Sequence, residues 1–182
     1  MVPLPIDNEL DHMLCARAFI EKYALARLAD RFPNLTNFLT LDLSARSKIG
    51  HCLPDFAVIS VTRPLDSSPR QRLFGFELKV PAGITVDAVA QARKQKPCVD
   101  GVFLLLLLPD GYPAERSLPQ IRREARREGI GVIRVRDWQF GRDYEQLESP
   151  LLSAPADEDG PSIIKGRLSS AEKAFLKRWM DA

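Results

Sequence analysis

Asp55, Glu77 and Lys79 are the residues of this chain best suited to chemistry. Asp55 follows Pro54 and opens the apolar run Phe56-Ala57-Val58-Ile59. Glu77 and Lys79 interrupt a second apolar run, Leu73-Phe74-Gly75-Phe76-Glu77-Leu78-Lys79-Val80. Ionic groups in such company are costly unless they are paired or bind a metal. Two carboxylates with an open position suit a hard cation such as Mg²⁺ or Mn²⁺, which keeps several waters and accepts phosphate oxygens. Lys79 is placed to hold an attacking water and to offset charge in the transition state. An ordinary hairpin carrying an exposed Glu77/Lys79 ion pair is the plain alternative.

These residues need two strands to carry them. Between the runs lies the turn-rich stretch Arg63-Pro64-Leu65-Asp66-Ser67-Ser68-Pro69-Arg70, which makes strand, loop, strand the natural expectation. Residues i and i+2 of a strand share a face, so Glu77 and Lys79 point the same way, about 6.6 Å apart along the strand. Upstream, Asp7 or Asn8 caps an expected helix reaching about Arg31, with Leu10, Met13, Leu14, Ala18, Tyr23, Leu25 and Leu28 as its buried stripe. A strand-like piece follows at Phe38–Leu43, then a loop over Ser44–Leu53.

Downstream, Thr85 caps an expected helix over Val86 to about Lys96. Val102–Leu108 is apolar at every position, as a covered central strand should be. Leu118–Glu128 reads as a helix closed by Gly129, and Ile130–Arg136 as a strand nearer the sheet edge. The whole predicts an α/β fold with a mixed central sheet flanked by helices. The domain is expected over residues 1–148, a connector over 149–165, and a C-terminal helix over 166–182.

Pro54-Asp55 followed by Glu77-Leu78-Lys79, each on an expected strand, resembles the signature of the PD-(D/E)XK nuclease superfamily. The resemblance spans roughly Glu9 to Val135. It implies a restriction-endonuclease-like fold and metal-dependent hydrolysis of DNA phosphodiester bonds. It also implies that Asp55, Glu77 and the Leu78 carbonyl hold Mg²⁺ or Mn²⁺, with Lys79 as the third catalytic member. A first-helix glutamate joins the metal in many members, and Glu21 is preferred here over Glu9. Some branches carry a glutamine on the helix after the lysine, which Gln91 matches; their tyrosine four residues later is Gln95 here.

Arg63, Arg70 and Arg72 flank the hairpin loop, and Arg93 and Lys94 lie beside Gln91; all are candidates for DNA phosphate contact, with solvated surface as the plain alternative. Arg122, Arg123, Arg126 and Arg127 form a basic helical face that a solvated surface explains better. The formal net charge of +2 does not by itself point to nucleic acid.

Cys15, Cys52 and Cys98 are odd in number and lack C-x-x-C spacing, which fits reduced thiols and a cytoplasmic protein. Met1–Glu9 lacks the charge and apolar core of a signal peptide, and Val102–Leu108 is too short to span a bilayer, so no membrane partner is expected. The tail from Ser162 carries Ile163, Ile164, Leu168, Phe175, Leu176 and Trp179. It is a candidate for homodimer or protein-partner contact, or for docking on its own domain.

Overall fold

A computed structural model describes residues 9–23, 35–43, 53–62, 70–137, 143–153 and 159–181. The fold is α/β: a six-stranded open mixed sheet with strands in chain order. Strands β1 (Leu35–Asp42), β2 (Phe56–Thr62) and β3 (Arg70–Lys79) form an antiparallel meander. Strands β4 (Gly101–Leu107) and β5 (Gly131–Val135) run parallel to β3, and β6 (Tyr144–Glu148) closes the far edge antiparallel. Helices α2 (Asp87–Arg93) and α3 (Leu118–Glu128) connect the parallel strands.

The period of two splits the sheet into two apolar faces. Phe56, Val58, Phe74, Phe76, Leu78, Phe103 and Leu105 pack under helix α1 (Glu9–Tyr23). Their alternates Ala57, Ile59, Leu73, Leu104 and Leu106 pack under α2 and α3. The α1 face is rich in rings: Phe76 and Phe103 stack at 4.9 Å, an arrangement worth about 0.5–1.5 kcal/mol beyond its buried area.

Helix α1 buries Ala16, Phe19, Ile20 and Tyr23, spaced three, four and seven apart. Its expected stripe is corrected here. Leu14 is 58% exposed and Ala18 is exposed. At about 100° per residue both stand roughly opposite Ala16, and the large rings of Phe19 and Tyr23 take the sheet. Residues 24–34, the rest of the expected helix, lie outside the described residues.

Helix α2 is shorter than expected. Its cap is Val86, without a side-chain hydrogen bond, and the chain tightens after Arg93. Lys94 N–H donates to Gln91 O and Gln95 N–H to Ala92 O, and a 3₁₀ turn follows over Lys96–Cys98. Pro97 accounts for the break, since it lacks an N–H and disfavours helix at the residue before it. Helix α3 runs over Leu118–Glu128 as expected, and Gly129 closes it at φ 66°.

Strand β6 is not anticipated by the apolar pattern, and it displaces β5 from the edge, so β5 is buried throughout. The expected connector also differs. Asp159–Gly166 forms helix α4, and helix α5 covers Ser170–Asp181. Ile164, Leu168 and Leu176 are buried in the α2/α3 face with Trp179 packed against it, so the tail docks on its own domain. Cys15 is half-buried and Cys98 is buried. Among the described residues no helix is long and apolar enough to cross a membrane.

Candidate active site at the β2–β3 ends

Strands β2 and β3 pair with Phe56 opposite Phe76 and Ala57 opposite Gly75. One step further along β3, Glu77 falls on the face shared by Ala57 and Gly75, the α2/α3 face, and Asp55 stands just before the ladder. Strand β2 ends at Phe56, so the ladder stops there. Asp55 Oδ2 takes its place and accepts the Leu78 N–H at 2.9 Å. The N–H and C=O of one strand residue project to the same edge, so the Leu78 carbonyl is directed to the side where Asp55 stands. The Asp55 backbone oxygen in turn accepts the Leu43 N–H at 2.8 Å, which ties the acid to the end of β1.

Glu77 is buried, with 7% of its surface exposed. Its Oε1 accepts from Lys79 Nζ at 2.8 Å, as the shared strand face requires. Its Oε2 accepts from Gln95 Nε2 at 2.5 Å. Leu78, between them, faces the α1 core. Glu77 and Lys79 stand at the carboxyl end of β3, which with β4 and β5 forms the parallel part of the sheet. Open α/β sheets place ligands at such ends.

The structure therefore brings Asp55, Glu77, Leu78 and Lys79 together, and adds Gln95. Gln91 is exposed on α2 and Gln95 is the glutamine that touches Glu77. The signal for Gln95 lies in the helix period: Ala88, Ala92 and Gln95 fall on one face at i, i+4 and i+7.

Other candidates stand elsewhere. Glu21 is on α1, across the sheet from Glu77; it is exposed and pairs with Arg17 at 3.2 Å. Glu9 begins α1, but its side chain lies outside the described residues. Thr62 and Arg70 pair at the end of the β2–β3 ladder away from the site. Arg70 and Arg72 are at the opposite end of β3 from Glu77, about 16 Å or more away at the strand rise, and on the α1 face. Arg72 is bound to Asp100 at 3.0 Å, and Asp100 also accepts the Leu73 N–H. Arg63 lies outside the described residues. Arg93 is exposed and pairs with Glu128 at 3.4 Å, and Lys94 is exposed beside Gln95.

Among the described residues no three or more His, Cys, Asp and Glu side chains gather as a ready-made cation site. The donors at the β2–β3 ends do fit a hard divalent ion of the Mg²⁺ class, which needs only one or two protein carboxylates beside water and phosphate. Among the described residues, the Lys79 ammonium stands with the two carboxylates Asp55 and Glu77.

No family model matches this chain, and no curated protein matches it.

Proposed function

We propose that this protein is a metal-dependent deoxyribonuclease of the PD-(D/E)XK type, an endonuclease on a restriction-endonuclease-like core. The observation that carries the reading is Asp55 Oδ2 on the Leu78 N–H, beside Glu77, with Lys79 Nζ on the Glu77 carboxylate. Asp55, Glu77 and the Leu78 carbonyl would hold Mg²⁺ or Mn²⁺. Such an ion, when bound, polarises a phosphoryl oxygen and acidifies a water.

The chain's own residues supply the rest. The Leu78 N–H fixes the Asp55 carboxylate at the end of the interrupted ladder. Lys79 Nζ, on a strand whose neighbours are buried, is placed to hold the attacking water and to stabilise charge growing on the phosphate. Exposed Arg93 and Lys94 are placed to meet flanking DNA phosphates. Phe175, 48% exposed on α5 with Arg178 over its ring, is the candidate contact for a homodimer or protein partner.

The test is nicking of supercoiled DNA in Mg²⁺ or Mn²⁺, with matched RNA alongside. Wild type should cut DNA, and folded Lys79→Ala should not. Equal cutting by both overturns the assignment, and preferential cutting of RNA reassigns the substrate.

A second reading is a catalytically silent nuclease-fold module that binds DNA or assembles with a partner. It is favoured by the fact that both Glu77 oxygens and Asp55 Oδ2 already have donors within the chain. Titration calorimetry with Mn²⁺ separates the two, since the module binds no ion.

A further inference from the structure

Gln95 is 2% exposed, and its backbone is pinned on both sides: its N–H donates to Ala92 O and its carbonyl accepts the Cys98 N–H. Its side chain crosses from the end of α2 to the sheet, where Nε2 donates to Glu77 Oε2 at 2.5 Å. A donor to a carboxylate makes one of the stronger hydrogen bonds a neutral side chain can form. Its other end is buried as well. Gln95 Oε1 has no hydrogen-bond partner among the described residues, and it lies 3.3 Å from where a Cβ on Gly75 would be. Pro54, the residue before Asp55, would lie 3.2 Å from that same point. Glycine at 75 thus makes the slot in which the amide passes between the two acid-bearing strands.

Packing alone does not account for this residue. A buried amide oxygen without a donor is a cost to folding, and methionine would fill the same space without that cost. What the amide adds is the bond to Glu77. That bond divides the carboxylate into an inner oxygen fixed by a neutral donor and an outer oxygen facing Lys79, whose side chain is 18% exposed.

We propose that Gln95 is a positioning residue: Nε2 anchors Glu77 Oε2 so that Oε1 is presented to the cation, whether Lys79 Nζ or an entering divalent ion. The proposal rests on the metal-dependent reading of this site. It acts through Glu77, and a neutral anchor does this without competing for the ion. A cationic anchor in its place would cancel the charge that the ion must meet.

The test is Mn²⁺ titration calorimetry on the full chain, comparing wild type with Gln95→Met, and side-chain amide NMR of ¹⁵N-labelled wild type. Removing a partner that orients a metal ligand typically weakens binding about 10–100-fold, and that loss is expected for folded Gln95→Met. In wild type the Gln95 side-chain amide signals should move on Mg²⁺ addition, with the midpoint that calorimetry gives for Mg²⁺. Equal Mn²⁺ affinity in wild type and Gln95→Met overturns the role of Gln95 and leaves the nuclease reading standing. Wild type that binds no Mn²⁺ overturns both. Should Gln95→Met not fold, the wild-type amide signals decide: signals that stay fixed while the ion binds overturn the proposal.

Discussion

Glu77 and Glu148 are two carboxylates of nearly equal burial, with side chains 9% and 8% exposed, and both of their oxygens are hydrogen-bonded. Their partners differ. Glu148, on edge strand β6, is held by two guanidiniums from α3: Arg122 Nε at 3.0 Å, and Arg126 Nε at 3.0 Å with Nη2 at 2.8 Å. Arginine forks are rigid and permanently charged, and two of them around one acid leave a positive surplus. Glu77 has one flexible ammonium and one neutral amide, and a second acid, Asp55, sits on the N–H of the next residue. The first arrangement staples a helix to a strand. The second leaves the acid on a flexible ammonium that can move away. Burial and ion pairing alone do not separate the two acids; the number, charge and stiffness of their partners do.

The sharpest way to break this contrast is to remove Lys79. A positioned proton-transfer group contributes about 10²–10⁴-fold, so Lys79→Ala should lower plasmid nicking by that order, read at a temperature where the melt shows the variant folded, since buried Glu77 loses its ammonium. Arg122→Ala and Arg126→Ala should leave nicking unchanged. Loss of cutting in an Arg variant of normal stability would erase the distinction between the clusters.

Asp55 separates two duties within one residue. Asp55→Asn keeps an oxygen for the Leu78 N–H and loses the charge, so Mn²⁺ binding should vanish in calorimetry with little change in stability. Asp55→Ala loses the acceptor too, and should cost about 1–3 kcal/mol in urea unfolding. Glu148→Gln should leave Mn²⁺ binding intact. An Asn variant that still binds the ion would remove Asp55 from the site.

The site was more legible in the sequence than its surroundings. Facing on a strand depends only on local parity, so the shared face of Glu77 and Lys79 could be read directly, and the apolar run Val102–Leu108 announced a covered strand. What was not legible depends on where elements end or on what lies across space. Gln95, four residues past the one that motif spacing selects, is chosen by what lies across from it, the Glu77 carboxylate. Glu21 points away because Phe19 and Tyr23 claim the sheet. Arg70 and Arg72 follow a rule that was available: a hairpin puts its loop at the far end from the residues that open the first strand and close the second. Strand β6 has almost no apolar signal, since an edge strand can be stabilised by charged neighbours. Residues 149–165 read as a connector because their composition is largely polar, yet Ile163 and Ile164 suffice to dock the helix Asp159–Gly166.

The smallest expected effect is the pH response of the staple. The Arg126 hydrogen bond holds the Glu148 carboxyl below the usual carboxylate range; burial opposes this, and Arg122 adds to it. A carboxyl whose pKa is lowered by folding contributes stability that is complete above its unfolded value. Between the two values the unfolded chain binds more protons, so stability falls as pH drops toward the folded pKa and the contribution is lost below it. Thermal melts of wild type should therefore fall from about pH 5 downward more steeply than those of Glu148→Gln, which has no such proton to take up. At neutral pH the variant should melt lower by about 2–4 °C, the shift that roughly one kcal/mol gives in a chain of this size. The difference between the two should shrink on acidification, because protonated Glu148 resembles the glutamine that replaces it. Curves that stay parallel across the acid range would mean that the two arginines do not act on Glu148 as a charge, and the contrast with Glu77 would then rest on geometry alone.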